Sequence, residues 1–227
     1  MSGVSMMNQA LPWLMAIGMG VYQGVNPPVG WLRAVARGLE TNSTRAILLS
    51  TAALAFGHFL SMIVLLAPVS VVIAVLLADR LSMMTLMQAG SLAGFGLIGF
   101  GLYKILRPRH PKFLARISPD RPVRWAFCMG LTHCGSPVMM APMLINLILV
   151  SAWVAAPSTV APIFGAVLIA LAVSAAMAVP LFLTGSAVAI AVVRRFGLRA
   201  ITRYWVNLDL GWAVMFILMG IMGLTMG

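Results

Sequence analysis

The chain has 227 residues, of which 62% are hydrophobic and only 8% charged, and it carries a formal net charge of +11. No soluble domain could hide that much apolar surface behind a charged exterior, so lipid is the expected solvent for most of its side chains. The positive charge does not point to nucleic acid, because nearly all of it sits between hydrophobic runs and is better read as membrane orientation.

Hydrophobic runs set against polar breaks predict an all-α, polytopic membrane protein. Its six spans fall near residues 10–33, 46–78, 82–106, 123–152, 159–193 and 204–226. A bilayer core of ~30 Å takes ~20 residues of helix, so six crossings use nearly the whole chain. The first ten residues hold no Lys or Arg, and the first run continues into a full span, so a retained N-terminus is expected rather than a cleaved signal. The second and fifth runs exceed a simple crossing, and each holds a proline, Pro68 and Pro180. Tilt, a kink or an interfacial extension is expected there.

The cations orient these spans. Arg33, Arg37 and Arg45 surround the first connection, Lys104, Arg107, Arg109, Lys112, Arg116, Arg121 and Arg124 the third, and Arg194, Arg195, Arg199 and Arg203 the fifth. Of 15 basic residues only Arg80 falls on the opposite side. The first, third and fifth loops are therefore expected in the cytoplasm and both termini outside it, as in a bacterial inner-membrane protein. The basic third loop is placed to touch anionic lipid headgroups.

The two halves share a pattern. Gly20-Val21-Tyr22-Gln23-Gly24-Val25-Asn26-Pro27 in the first span matches Gly130-Leu131-Thr132-His133-Cys134-Gly135-Ser136-Pro137 in the fourth, with Gly20 against Gly130, Gln23 against His133, Asn26 against Ser136 and Pro27 against Pro137. Three helices separate the copies, so the halves would cross in opposite directions. The expected organisation is a 3+3 inverted repeat, with residues 1–106 and 123–227 as the two units and 107–122 as a basic cytoplasmic loop. Gly and Pro interrupt backbone hydrogen bonding where lipid supplies no replacement, so such breaks must face protein or water.

Polar groups at membrane depth give the candidate site: Gln23, Asn26, His58, His133, Cys134 and Ser136, lining a midplane cavity. Imidazole, thiolate and thioether together suit copper, zinc or nickel, which makes His58, His133, Cys134 and Met139 the candidate metal ligands. The bland reading is an interior hydrogen-bonding role for each histidine and a packing role for most of the 18 methionines. The glycines Gly90, Gly94, Gly96, Gly99 and Gly101 of the third span, with Gly220 and Gly223 of the sixth, are expected to allow close helix contact. The tryptophans are read as interfacial anchors. Asp209 is expected to pair with Arg199 or Arg203.

In its six-helix, three-plus-three layout, its polar first-span break Gln23 to Pro28 and its Gly57-His58 pair, the chain resembles the lysine-exporter superfamily, especially the nickel/cobalt-exporter and HupE-like branches. That resemblance implies transport of a small solute, and of a transition metal in those branches. It departs where Val29-Gly30-Trp31 follows Pro27-Pro28, since metal exporters carry a His and Asp pair there. The chain also resembles CcdA-like thiol electron carriers in its paired Pro motifs and N-out, C-out topology. Those carriers need one cysteine in each of spans one and four, and here Cys128 and Cys134 both lie in span four.

The expected function is secondary transport of a small solute by alternating access, with a transition-metal cation as first cargo and a small metabolite such as an amino acid as second. No resident cofactor is expected. The rival is a noncatalytic membrane subunit docking a larger complex, and homo-oligomerisation is open. An enzyme is not expected, because only four acids occur and no nucleophile, base and orienting group are readable together.

Overall fold

A computed structural model describes residues 3–26, 31–78, 83–106, 121–133, 140, 143–145, 147–148, 160–195 and 208–226. Among the described residues all regular structure is α-helical: α1 (Gly3–Val25), α2 (Trp31–Thr41), α3 (Thr44–Ala78), α4 (Met83–Leu106), α5 (Pro122–His133), α6 (Val160–Arg195) and α7 (Leu208–Met226). An α-helix satisfies the backbone groups of its interior within its own segment, the condition lipid imposes.

Two of these helices, over Thr44–Leu76 and Val160–Arg195, are long and apolar enough to cross a membrane. Burial argues against a soluble core: only 33% of the most apolar window of α3 and 39% of that of α6 lies inside the bundle. The rest turns Val64, Val72, Phe164 and Leu183 outward. Long apolar helices with apolar outer faces define a membrane protein.

The long helices form the spine. α3 packs along α6, α1 packs on α6, α5 on α3, α4 pairs with α7, and α2 bridges α3 and α6. Met19, Met62, Leu66, Met143, Leu144 and Met177 are buried in the central apolar cluster. Flexible thioethers suit such irregular gaps between crossing helices.

The first expected span is corrected. Instead of running to residue 33, α1 stops at Val25, and a separate helix, α2, begins at Trp31. The next residues in sequence, Pro27 and Pro28, supply the reason: proline lacks the backbone N–H and disfavours helix in the residue before it. α2 is amphipathic, burying Ala34, Val35 and Gly38 while Arg37 and Glu40 stay exposed and paired at 3.1 Å. It ends at Asn42 in the left-handed region, φ 47°, where Ser43 N–H bonds back to Gly38 O at 3.3 Å. Ser43 Oγ then accepts from Ala46 N–H at 3.4 Å and caps α3.

The helices α3, α4 and α6 keep close to the limits expected for the second, third and fifth hydrophobic runs, and α3 and α6 continue as helix through Pro68 and Pro180. α5 is described as far as His133, and most of the basic 107–122 loop lies outside the described residues.

The close-contact glycines divide by helix face. A side chain on Gly94 would meet Gly220 O, and one on Gly101 would meet Ala213 O and Ile217, so these positions let α4 and α7 touch. Gly96 and Gly99 have nothing within 4 Å, contrary to expectation. Residues 94 and 101 are two turns apart on one face, whereas 96 and 99 are rotated away by well over 100°.

Candidate functional site

The two paired glycines sit at equivalent places. Gly20 of α1 approaches the Met177 backbone, at the middle of α6, so closely that any Cβ would overlap its carbonyl oxygen. Gly130 of α5 approaches Ser61, the middle residue of α3, with the His58 ring beside it. Each motif thus brings its helix onto the centre of a long helix from the other half.

Gln23 and Asn26 lie further along α1, at its end. Asn26 N–H bonds to Tyr22 O at 3.0 Å and Gln23 O at 3.2 Å, the last turn of the helix. Across the break, the Trp31 indole N–H donates to Val25 O at 2.8 Å, covering one of the carbonyls that a helix end leaves without an intrahelical partner. Trp31, expected as a lipid anchor, is thus tied to the end of α1.

Both side chains are buried, Gln23 at 1% and Asn26 at 4% exposure, and all four of their amide atoms lack a hydrogen-bond partner among the described residues. Beside Gln23 is a cavity of about 10 Å³ walled by Gly24, Trp31, Thr51, Leu54, Leu181 and Gly185. That is room for about one water. Thr51 Oγ1 shares a 2.7 Å hydrogen bond with Ser186 Oγ and lies 3.1 Å from Ile47 O. A hydroxyl pair joining α3 to α6 therefore borders the amide.

Counted along α3 and α6, the cavity sits ~10 Å from the helix middles at 1.5 Å per residue, toward the basic end of the bundle. The glycine touches the middle of α6, and Gln23 and Asn26 follow it by three and six residues, ~5 and ~9 Å further along α1 toward that end. His58, likewise three residues from a helix middle at Ser61, is buried at 1% exposure rather than turned to lipid. Ser61 Oγ donates to His58 O at 2.6 Å.

Of the other predicted residues, Cys134, Ser136 and Met139 lie outside the described residues, as do the side chains of His133 and Asp209. Among the described residues no group of three or more His, Cys, Asp or Glu could hold a metal. Cys128 is a half-buried thiol on α5. Sequence reasoning missed Thr51 and Ser186, single hydroxyls inside long apolar helices, where Thr and Ser usually bond their own backbone and signal nothing.

Fold and site together define an all-α membrane protein with an interrupted helix and, inside its bundle, two amides that have no partner among the described residues. Compared with protein-family models, with curated proteins and with solved structures, the chain finds no match in any of the three.

Proposed function

We propose that the protein is a secondary transporter that takes a small polar solute from the basic, cytoplasmic side into the cavity at the end of α1 and passes it across the membrane by alternating access. One observation carries the reading: two buried carboxamides, without partners among the described residues, lie together at the end of α1 just before a helix break. An unsatisfied buried amide costs ~1–3 kcal/mol, a penalty that a polar ligand removes by bonding to it. Broken helices whose freed polar groups face a small cavity are how transporters commonly hold cargo.

The pairing of helices supports an inverted repeat. Exchanging α1 with α5, α3 with α6 and α4 with α7 turns each main contact of these helices into another of the same set. Six crossings with both termini outside complete this reading. It predicts that cysteines introduced at Arg109 and Arg199 are protected from an impermeant thiol reagent added to intact cells, while one introduced at Arg80 is labelled. The opposite pattern would overturn the orientation.

A transition-metal cation is the first cargo to test, since His58 stands against α5 at Gly130, three residues before His133. Purified protein in vesicles loaded with a metal-sensitive dye is expected to admit Ni²⁺ or Zn²⁺, and His58→Ala to remove the flux while leaving the helical content intact. If flux is unchanged by His58→Ala, the cargo is not held there. If neither metals nor amino acids move and a partner protein co-purifies, the noncatalytic-subunit reading replaces transport.

A further inference from the structure

We infer that the pocket between α2, the start of α3 and the start of α5 binds the phosphate headgroup of an anionic phospholipid from the cytoplasmic leaflet. The inference rests on the membrane-crossing and orientation proposed above and not on transport. The pocket has a volume of about 500 Å³ and is lined by Arg33, Arg37, Thr41, Ala46, Leu49, Ser50 and Pro122. That volume lies within the ~300–1,000 Å³ usual for ligand sites.

Depth decides what reaches it. With the middle of α3 at the bilayer centre, Ala46 to Ser50 lie ~16–23 Å from that centre at 1.5 Å per residue. The hydrocarbon edge is at ~15 Å and the headgroup layer ends at ~20–22 Å. The pocket therefore opens where lipid phosphates lie, and its basic lining belongs to the side assigned to the cytoplasm, whose leaflet carries the anionic lipids.

The lining divides as a phospholipid does. Arg37, with the Arg33 side chain beside it, and the Ser50 hydroxyl offer donors for phosphate oxygens, while Thr41 spends its own hydroxyl proton on Arg37 O at 2.8 Å, and Leu49, 61% exposed, offers an apolar edge for an acyl chain. Glu40 engages one nitrogen of Arg37 at 3.1 Å, leaving the rest of that five-donor fork for an anion. The Ser43-capped N-terminus of α3 brings the positive end of its dipole to the same level. Because Pro122 belongs to α5, a lipid seated here would touch both proposed halves at their cytoplasmic joint.

Native mass spectrometry of the full chain in mild detergent tests this with phosphatidylglycerol, phosphatidylcholine and inorganic phosphate as probes. Phosphatidylglycerol is expected to be retained in preference to phosphatidylcholine, and the double variant Arg33→Gln/Arg37→Gln to reduce its retention about tenfold or more. Arg194→Gln/Arg195→Gln, which changes the same net charge elsewhere, is expected to retain it. Leu49→Trp gives a second route, filling the pocket mouth from an exposed position and displacing the lipid without removing charge. Unchanged phosphatidylglycerol binding in both pocket variants, equal binding of the two lipids, or displacement by inorganic phosphate would each overturn the inference. Because thiol labelling reads orientation independently, a lipid result against the pocket leaves the membrane reading standing.

Discussion

Gly20→Leu and Gly130→Leu are each expected to abolish recovery of folded protein, the largest effect of any single substitution considered. A Cβ on Gly20 would occupy the space of the Met177 carbonyl oxygen, with the carbonyl carbon and Cα within 3.0 Å. Backbone cannot rotate away as a long side chain can, so α1 would have to leave α6. On Gly130 a Cβ would overlap Ser61 Oγ, lie 2.7 Å from Ser61 Cβ and stand 3.2 Å from His58 Nδ1. Overpacking by one methyl group typically costs ~1–3 kcal/mol, and leucine adds three further carbons. In lipid, helices associate through close packing, so prising the centres of α1 and α6 apart removes the main attraction between them. Gly96→Leu is the control, since nothing lies within 4 Å of that position. Size-exclusion profiles and helical content after detergent extraction would decide it: a Gly20→Leu protein as monodisperse as Gly96→Leu would mean that the approach to Met177 is not structurally required.

Much of the architecture was legible because lipid makes hydropathy a direct reading of structure. The long apolar stretches expected over 46–78 and 159–193 became α3 and α6 with nearly those limits, whereas Gly20 and Gly130, read only as parts of a repeated break, are close-contact points that the pattern did not announce. The end of α1 was not placed correctly. Val29, Trp31 and Leu32 extend the apolar run in composition, so hydropathy carries the span past a break that Pro27 and Pro28 already forbid. α2 was missed for a related reason: eleven residues holding Arg33 and Arg37, with Arg45 just beyond them, read as a charged loop, and only the helical spacing of Ala34, Val35 and Gly38 reveals a buried face. Within the site, Gln23 and Asn26 were visible as polar groups in an apolar run. Thr51 and Ser186 were not, because their pairing joins residues 135 apart in sequence and depends on how α3 crosses α6.

Gln23→Met should raise stability while removing transport, two effects of opposite sign from one change. The side chains are similar in length and flexibility, so the thioether fits the space with little repacking. What changes is polarity: the buried Nε2 and Oε1 atoms, neither with a hydrogen-bond partner among the described residues, are replaced by groups that want none. The folded protein without cargo should gain ~1–3 kcal/mol, the penalty of leaving such a group unsatisfied. At ~2–4 °C per kcal/mol for a chain of this size, the melting midpoint should rise by several degrees. Transport should be lost because the amide that would bond the cargo is gone. Asn26→Leu should act in the same direction through its own two unpartnered atoms, with a smaller gain where the branched side chain fits the helix end less well. Replacing Thr51 by Val should behave differently, lowering stability, because it strips the Ser186 hydroxyl of its 2.7 Å partner in a buried position. Thermal melts in detergent and flux in vesicles, run on the same preparations, separate these outcomes. A Gln23→Met protein that is less stable than the parent would show that the amide is satisfied in the membrane, and the argument for a cargo-binding role at the end of α1 would lose its basis.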